Sequence, residues 1–179
     1  MQKKIIGFVL VLGIVLLTGF VLLLPAWKKR NDPVNQGKQL YHDGKFEEAI
    51  VAYREALKAH PTDSVAGVEL GRSLIVLKRQ GEAVQTLKQT LQGAPRAVEG
   101  WHLLGEACAG SGHPKEAVDA YQHALALDSN LVYTHLMLGQ AYRDMGKKKE
   151  ARKEWETVIA LDPGNEGKVA QKMINLQLR

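Results

Sequence analysis

One stretch of 34 residues decides the fold, VEGWHLLGEACAGSGHPKEAVDAYQHALALDSNL at positions 98–131. It contains two segments whose apolar residues recur at helical spacing, and Ser111-Gly112 separates them as a turn. In the first segment Trp101, Leu104 and Cys108 fall on one helix face. The stretch is therefore predicted to form a hairpin of two helices.

The same pattern recurs with a period of 34 residues, without insertion or deletion. It predicts four repeats, at 30–63, 64–97, 98–131 and 132–165. Three positions are identical in every copy: the eighth is glycine (Gly37, Gly71, Gly105, Gly139), the nineteenth glutamate (Glu48, Glu82, Glu116, Glu150) and the twentieth alanine (Ala49, Ala83, Ala117, Ala151). Because glycine costs about 1 kcal/mol inside a helix, an invariant one needs a packing reason. We expect it to pack closely against the alanine of the second helix.

Turn and end signals fit the same register. We expect the two helices of each hairpin to be joined at Asp43-Gly44, Gln80-Gly81, Ser111-Gly112 and Met145-Gly146. Position 32 holds Pro61, Pro95 and Pro163, which end the second helices, with Ser129 as the exception.

Glycine at position eight, alanine at twenty, leucine at seven, an aromatic residue at twenty-four and proline at thirty-two resemble the tetratricopeptide repeat family. The resemblance covers residues 30–179 and implies an all-α fold, a right-handed α-solenoid of four helix hairpins. The end of such a stack must be capped. Residues 166–179 are predicted to form the capping helix, with Val169, Lys172, Met173 and Leu176 facing inward as a fifth first helix would.

The amino-terminal residues suggest a membrane anchor. Residues 5–24 are 20 uncharged, mostly apolar residues, which as a helix would span roughly 30 Å. A short basic tail, 1–4, precedes them, and a linker, 25–32, carries Trp27 and further basic residues suited to a headgroup region. The alternative is a cleaved secretory signal, for which the apolar run is long and lacks a small-residue cleavage site. We therefore expect an uncleaved transmembrane helix.

Orientation is less constrained, because basic residues flank both ends of the span. The amino-terminal pattern resembles bacterial signal anchors, which implies an inner-membrane protein with a periplasmic repeat domain. In this respect the chain resembles anchored tetratricopeptide proteins that assist cytochrome c maturation or accompany secretory translocons and assembly complexes.

The family resemblance implies that the first helices line a concave groove that receives a peptide or helix of a client protein. The expected groove residues are Val34, Lys38, Tyr41, Val65, Val68, Arg72, Ile75, Val76, Glu99, His102, Glu106, Tyr133, Leu136, Gln140 and Arg143. They form a mixed surface with an apolar patch in the second repeat, which either binds the client or is covered by neighbouring helices. The expected client is an apolar peptide or amphipathic helix with a few charges.

Part of the family grips chaperone carboxylate tails with Lys, Asn and Arg side chains. The matching positions here hold Val34, Lys38, Glu69, Glu99 and Leu103, so that clamp is not expected.

Other chemistries lack a pattern in the sequence. Beyond Lys4 there are 22 basic and 19 acidic residues, too balanced for a nucleic-acid surface, although related helical repeats read RNA. A single cysteine excludes a disulfide framework. His102 and His135 are the one candidate metal pair and lack a third ligand. We expect no cofactor and no catalysis; the remaining alternative is a non-catalytic subunit of an enzyme complex.

Overall fold

The structure is a computed structural model that describes residues 32–177. This part of the chain forms nine α-helices: α1 Pro33–His42, α2 Phe46–Ala59, α3 Ser64–Val76, α4 Gln80–Gly93, α5 Val98–Gly110, α6 Pro114–Leu127, α7 Val132–Asp144, α8 Lys148–Leu161 and α9 Asn165–Gln177. Each helix packs against the next one along the chain, and each odd-numbered helix also contacts the next odd-numbered helix. The arrangement is a solenoid of helix hairpins, as predicted.

The predicted membrane helix, residues 5–24, lies outside the described residues. Within residues 32–177, none of the helices combines the length and the apolar content that a membrane crossing requires.

Local sequence explains where the first helices begin. Asp32 caps α1 by accepting a hydrogen bond from the Val34 amide at 3.0 Å, and Pro33 occupies the first turn. Asp63 caps α3 by accepting from the Val65 and Ala66 amides at 2.9 and 3.0 Å. These side chains satisfy amides that otherwise lack a partner at a helix start.

The invariant glycines lie where helices approach most closely. A Cβ at Gly71 would be 2.6 Å from the Leu87 side chain, and one at Gly105 would be 2.5 Å from Cδ1 of Tyr121. Gly37 and Gly139 face Tyr53 and Trp155 in the same way. The close packing is confirmed, but the partner is wrong: the glycine meets the large side chain at position twenty-four, not the alanine at position twenty. Those alanines are fully buried within the core.

Three of the four predicted turns are confirmed. Gly44, Gly112 and Gly146 have φ values of 76°, 74° and 74°, the left-handed region that glycine tolerates. The predicted turn at Gln80-Gly81 is wrong, because α4 already begins at Gln80. The second repeat turns at Lys78, which is in phase with those glycines and has a φ of 59°.

The capping helix is rotated relative to its prediction. Ala170 and Ile174 are buried, whereas Val169 is 40% exposed and Leu176 is 56% exposed. Among the described residues α9 packs only on α7 and α8, so only the side facing them is covered. The predicted inward face was taken from repeats that have a further helix hairpin packed after them.

Candidate partner-binding groove

The wall of odd-numbered helices contains an open cavity of about 410 Å³ at its amino-terminal end. Its lining brings together four predicted groove residues, Lys38 and Tyr41 of α1, Arg72 of α3 and Glu99 of α5. Three further residues line it: His42 of α1, which also occupies a groove position of the repeat, and Glu69 and Tyr53. We call this space the amino-terminal cavity. It joins the first three repeats into one surface.

Arg72 holds the second and third repeats together inside this cavity. Its Nε donates to Glu69 Oε2 at 3.2 Å, and its Nη2 donates to Glu99 Oε1. Burial alone lowers the pKa of the Arg72 guanidinium, but the carboxylates of Glu99 and Glu69 outweigh it, so the pKa is raised. The three charged side chains therefore already pair with one another when no client is bound.

Tyr53 is the floor of the cavity and is fully buried. Its hydroxyl has no hydrogen-bond partner among the described residues. Burial and, secondarily, the Glu69 carboxylate raise the pKa of the Tyr53 phenol, so the hydroxyl keeps its proton. The ring fills the space left free by Gly37, where any Cβ would collide with it. The hydroxyl is therefore a donor that is sealed beneath the cavity and has no protein acceptor among the described residues.

The carboxyl-terminal half of the wall is centred on Tyr133 of α7, which is 51% exposed. The His102 ring lies between the rings of Tyr121 and Tyr133, with centroid distances of 5.7 and 5.5 Å. Its Nδ1 is 2.9 Å from Thr134 Oγ1, and burial, aided by the Arg72 charge, lowers the pKa of the His102 imidazole. The imidazole is therefore kept in its neutral form, and its ring packs beneath Tyr133.

Glu106 lies beside this aromatic group and is half-buried. It forms no ion pair or hydrogen bond with any described side chain. Burial raises the pKa of the Glu106 carboxyl, while Arg72 opposes that shift. A carboxylate with little water and no partner is a place where a basic group would be stabilised.

At the end of the wall, Arg143 and Gln140 share one carboxylate. Arg143 Nη2 is 3.2 Å from Asp144 Oδ1, to which Gln140 Nε2 donates at 2.8 Å. Arg143 Nη1 also lies 3.9 Å from the Met173 sulfur of α9. Arg143 therefore connects α7 to the capping helix.

The structure separates the predicted apolar patch of the second repeat. Val65 and Val76 are 48% and 42% exposed, whereas Val68 is only 7% exposed. Val68 packs beside Gly100 of the third repeat, and Ile75 is half-buried against the core. Val68 is therefore covered by the next repeat, as the alternative expected, whereas Ile75 is only partly covered.

Two other predicted groove residues also serve packing. Leu136 is 5% exposed and belongs to the core cluster, and the half-buried Val34 packs against that cluster. A column position alone does not show how far the next helix covers it.

Two cavity residues were missed from the sequence. Tyr53 was assigned only to packing, and Glu69 only to a missing clamp. The available signal was at position twenty-four, where Tyr53 places a hydroxyl and Leu87 of the next repeat does not.

The invariant glutamates also do more than favour a helix start. Glu82 binds Arg54 at 2.9 Å, and Glu116 binds Lys88 at 2.7 Å, each pair joining successive even-numbered helices. The signal was the basic residue at position twenty-five of the first two repeats.

The two histidines considered as a metal pair bind different partners. His135 Nδ1 is 2.7 Å from Glu154 Oε2, while His102 faces Thr134. The described part of the chain contains no group of three or more His, Cys, Asp or Glu side chains that could hold a metal ion. Cys108 is buried in the core, and burial raises the pKa of its thiol.

Comparisons with known proteins agree with this architecture. Two family models, both described as tetratricopeptide repeat, match the chain, one at residues 40–107 and the other at 98–131 and 132–165. The solved structure of MamA protein is similar, with a TM-score of 0.72 at 25% identity, covering 81% of this chain and 82% of that one. A thermophilic tetratricopeptide repeat protein in Thermus thermophilus gives a TM-score of 0.67 at 25% identity, with coverages of 82% and 81%.

Curated relatives match over part of their length. Small glutamine-rich tetratricopeptide repeat-containing protein 2 of Saccharomyces cerevisiae is 28% identical over 102 residues, which are 57% of this chain and 30% of the relative. The Hsp70-Hsp90 organizing protein of Triticum aestivum is 29% identical over 93 residues, 52% of this chain and 16% of the relative. The chain thus spans less than a third of either of these two relatives.

Proposed function

The chain belongs to the tetratricopeptide repeat family, and from that premise we propose that it is a membrane-tethered scaffold that binds a segment of a client protein in its groove. The groove is the wall of odd-numbered helices that carries the amino-terminal cavity and Tyr133. The role proposed is binding in the assembly or biogenesis of a membrane or exported complex, and not catalysis.

One observation carries the binding proposal, the pairing of an exposed aromatic ring with an unused carboxylate on that wall. Tyr133 offers a large rigid surface at low entropic cost, and half-buried Glu106 forms no ion pair or hydrogen bond with any described side chain. An amphipathic segment would place an apolar side chain on Tyr133 and a basic one against Glu106. The mixed client expected from the sequence fits this arrangement.

The relatives support a protein-binding role, and the residues of this chain at the clamp positions narrow the kind of client that can bind. An Hsp70-Hsp90 organizing protein is, by its name, a protein that brings others together. At the positions of the chaperone-tail clamp, however, Glu69 and Glu99 neutralise Arg72, and Leu103 is buried. A carboxylate tail would meet negative charge there, so we propose a different client.

Tethering is proposed from the sequence of the amino-terminal residues. Residues 5–24 are long enough and apolar enough to span a bilayer, and the linker 25–32 reaches about 28 Å when fully extended. The groove would then stay near clients that are themselves in the membrane, on the periplasmic side of a bacterial inner membrane.

Binding is tested by crosslinking the full chain in its own membrane after nuclease digestion, followed by mass spectrometry. The variant Tyr133→Ala with Glu106→Gln removes the ring and the charge together. Its matched control is Val51→Ala with Glu55→Gln on α2, because both of those side chains are exposed.

We expect the groove variant to lose most of the crosslinked client, since an aromatic anchor contributes a large share of binding energy. The control should retain it. Equal capture by the two variants, or loss of every partner on nuclease digestion, would refute a protein-binding groove at this position. Alkaline washing tests tethering separately: the full chain should stay with the membrane, and a chain lacking residues 2–29 should not.

A further inference from the structure

On the wall, position nine of one repeat contacts position two of the next. Arg72 and Glu99 occupy these positions where the second repeat meets the third, and Arg72 Nη2 donates directly to Glu99 Oε1. One period further along the chain, the same two positions hold Glu106 and Tyr133. The repeat geometry therefore makes Glu106 and Tyr133 neighbours where the third repeat meets the fourth.

The contacts and charges around Tyr133 agree with this placement. His102 lies one helical turn before Glu106 on the same face of α5, and its ring centroid is 5.5 Å from that of Tyr133. Burial raises the pKa of the Tyr133 phenol, and the carboxylates of Glu106 and Glu166 raise it further. The residue nevertheless stays 51% exposed. Tyr133 is thus an open aromatic surface in a negatively charged setting.

The two contacts between repeats differ in their balance of charge. Where the second repeat meets the third, the Arg72 guanidinium donates to Glu69 through Nε and to Glu99 through Nη2. Where the third meets the fourth, Glu106 pairs with no basic side chain of the described residues. Arg72 is the cation whose charge reaches Glu106. One cation is therefore shared among three carboxylates, and the wall around Glu106 keeps negative charge.

We propose that the client presents an arginine to Glu106 and Tyr133, a proposal that rests on this wall being the client-binding groove. The guanidinium N–H groups donate to the Glu106 carboxylate, while the guanidinium plane and the methylene stem lie against the exposed side of Tyr133. A single side chain thus makes both the basic and the apolar contact that the wall offers. It supplies to Glu106 the cation that Arg72 supplies to Glu99.

Arginine fits this pair of groups better than lysine does. Its guanidinium is planar and weakly hydrated, and it stacks on an aromatic face while directing its N–H groups edgewise at a carboxylate. The lysine ammonium is a compact, strongly hydrated charge that gives up more hydration on approaching the half-buried Glu106. An uncharged side chain would remove water from the carboxylate without supplying a compensating charge.

Fragment titration tests the proposal without knowledge of the client. The full chain, labelled with ¹⁵N and kept in a mild zwitterionic detergent, is titrated with the N-acetyl N-methylamides of arginine, citrulline and lysine while amide chemical shifts are recorded. Citrulline has the shape of arginine without its charge, and lysine has the charge without the planar group. The arginine fragment should bind with a Kd of about 1–10 mM and shift amides around Glu106 and Tyr133. We expect it to bind about tenfold more tightly than citrulline and about threefold more tightly than lysine.

Three variants assign the preference to these side chains. Glu106→Gln removes the charge at nearly constant shape, so it should weaken the arginine fragment about tenfold and abolish its advantage over citrulline. Tyr133→Leu keeps an apolar surface without an aromatic ring and should weaken the arginine fragment about threefold. Glu55→Gln is the matched control: it makes the same charge change at an exposed position of α2 and should leave the affinity unchanged.

Equal affinity for arginine and citrulline, tighter binding of lysine, equal affinity of wild type and Glu106→Gln for arginine, or no shifts around Glu106 would each overturn the arginine assignment. The capture experiment does not depend on which residue the client presents. Loss of capture by Tyr133→Ala with Glu106→Gln, combined with a failed titration, therefore refutes the arginine alone. Unchanged capture refutes the groove, and with it the assignment to a client residue.

Discussion

Gly105→Ala gives the sharpest test of how the repeats pack. The added Cβ would lie 2.5 Å from Cδ1 of Tyr121, a residue that is only 1% exposed. Overpacking of this kind costs up to about 3 kcal/mol, against about 1 kcal/mol gained when alanine replaces glycine in a helix. We expect a net loss of about 2 kcal/mol of unfolding free energy, or about 4–8 °C in Tm for a domain near 150 residues.

Gly81→Ala is the matched control, because it is exposed in α4 and no heavy atom lies within 4 Å of its added Cβ. It should leave stability unchanged or raise it by about 0.5 kcal/mol. Urea unfolding of both variants, followed by far-ultraviolet circular dichroism, measures the difference. If Gly105→Ala proves as stable as Gly81→Ala, the invariant glycine is not explained by contact with the ring.

Three further changes test single features. Lys78→Gly should raise the urea midpoint by an amount equivalent to about 0.5–1 kcal/mol, because glycine relieves the left-handed backbone at φ 59°; a lower midpoint would contradict that interpretation of the turn. Tyr53→Phe should raise unfolding free energy by about 1 kcal/mol, because it removes a buried hydroxyl without a partner, and a loss of stability would mean that the hydroxyl is already satisfied. Glu106→Gln should raise the unfolding free energy at neutral pH. Burial raises the folded-state pKa of Glu106, so ionisation of this carboxyl in the wild type lowers the unfolding free energy as the pH rises from the unfolded-state pKa through the folded-state pKa. The gain should disappear in acid below the unfolded pKa, and a gain independent of pH in thermal melts would exclude ionisation as the cause.

The repeat itself could be predicted because each of its features is local. Apolar spacing, glycine turns and helix-ending prolines depend on neighbours within a few residues, so the hairpins appear in the structure where the period predicts them. The turn at Lys78 was missed for the same reason: the left-handed position there carries no glycine, and the nearest glycine is three residues further on. Phase with the other repeats, and not composition, was the reliable signal.

The site was less predictable because exposure depends on helices distant in sequence. Val68 and Tyr133 both fall on predicted groove positions, yet the third repeat covers Val68, whereas Tyr133 remains 51% exposed. The amino-terminal cavity needs a side chain from α2 as its floor, and attention to first helices alone omits Tyr53. Pair contacts between repeats decide these outcomes, and a 34-residue period does not encode them.

The junctions between successive repeats differ in what joins them. Arg54 with Glu82 and Lys88 with Glu116 are exposed ionic links, whereas after the third repeat Gln122 Nε2 donates to the Tyr142 hydroxyl at 2.8 Å. Added electrolyte screens exposed charges but leaves a neutral hydrogen bond largely intact. Fraying in concentrated salt should therefore start among the first repeats, and the carboxyl-terminal pair should be the last to separate.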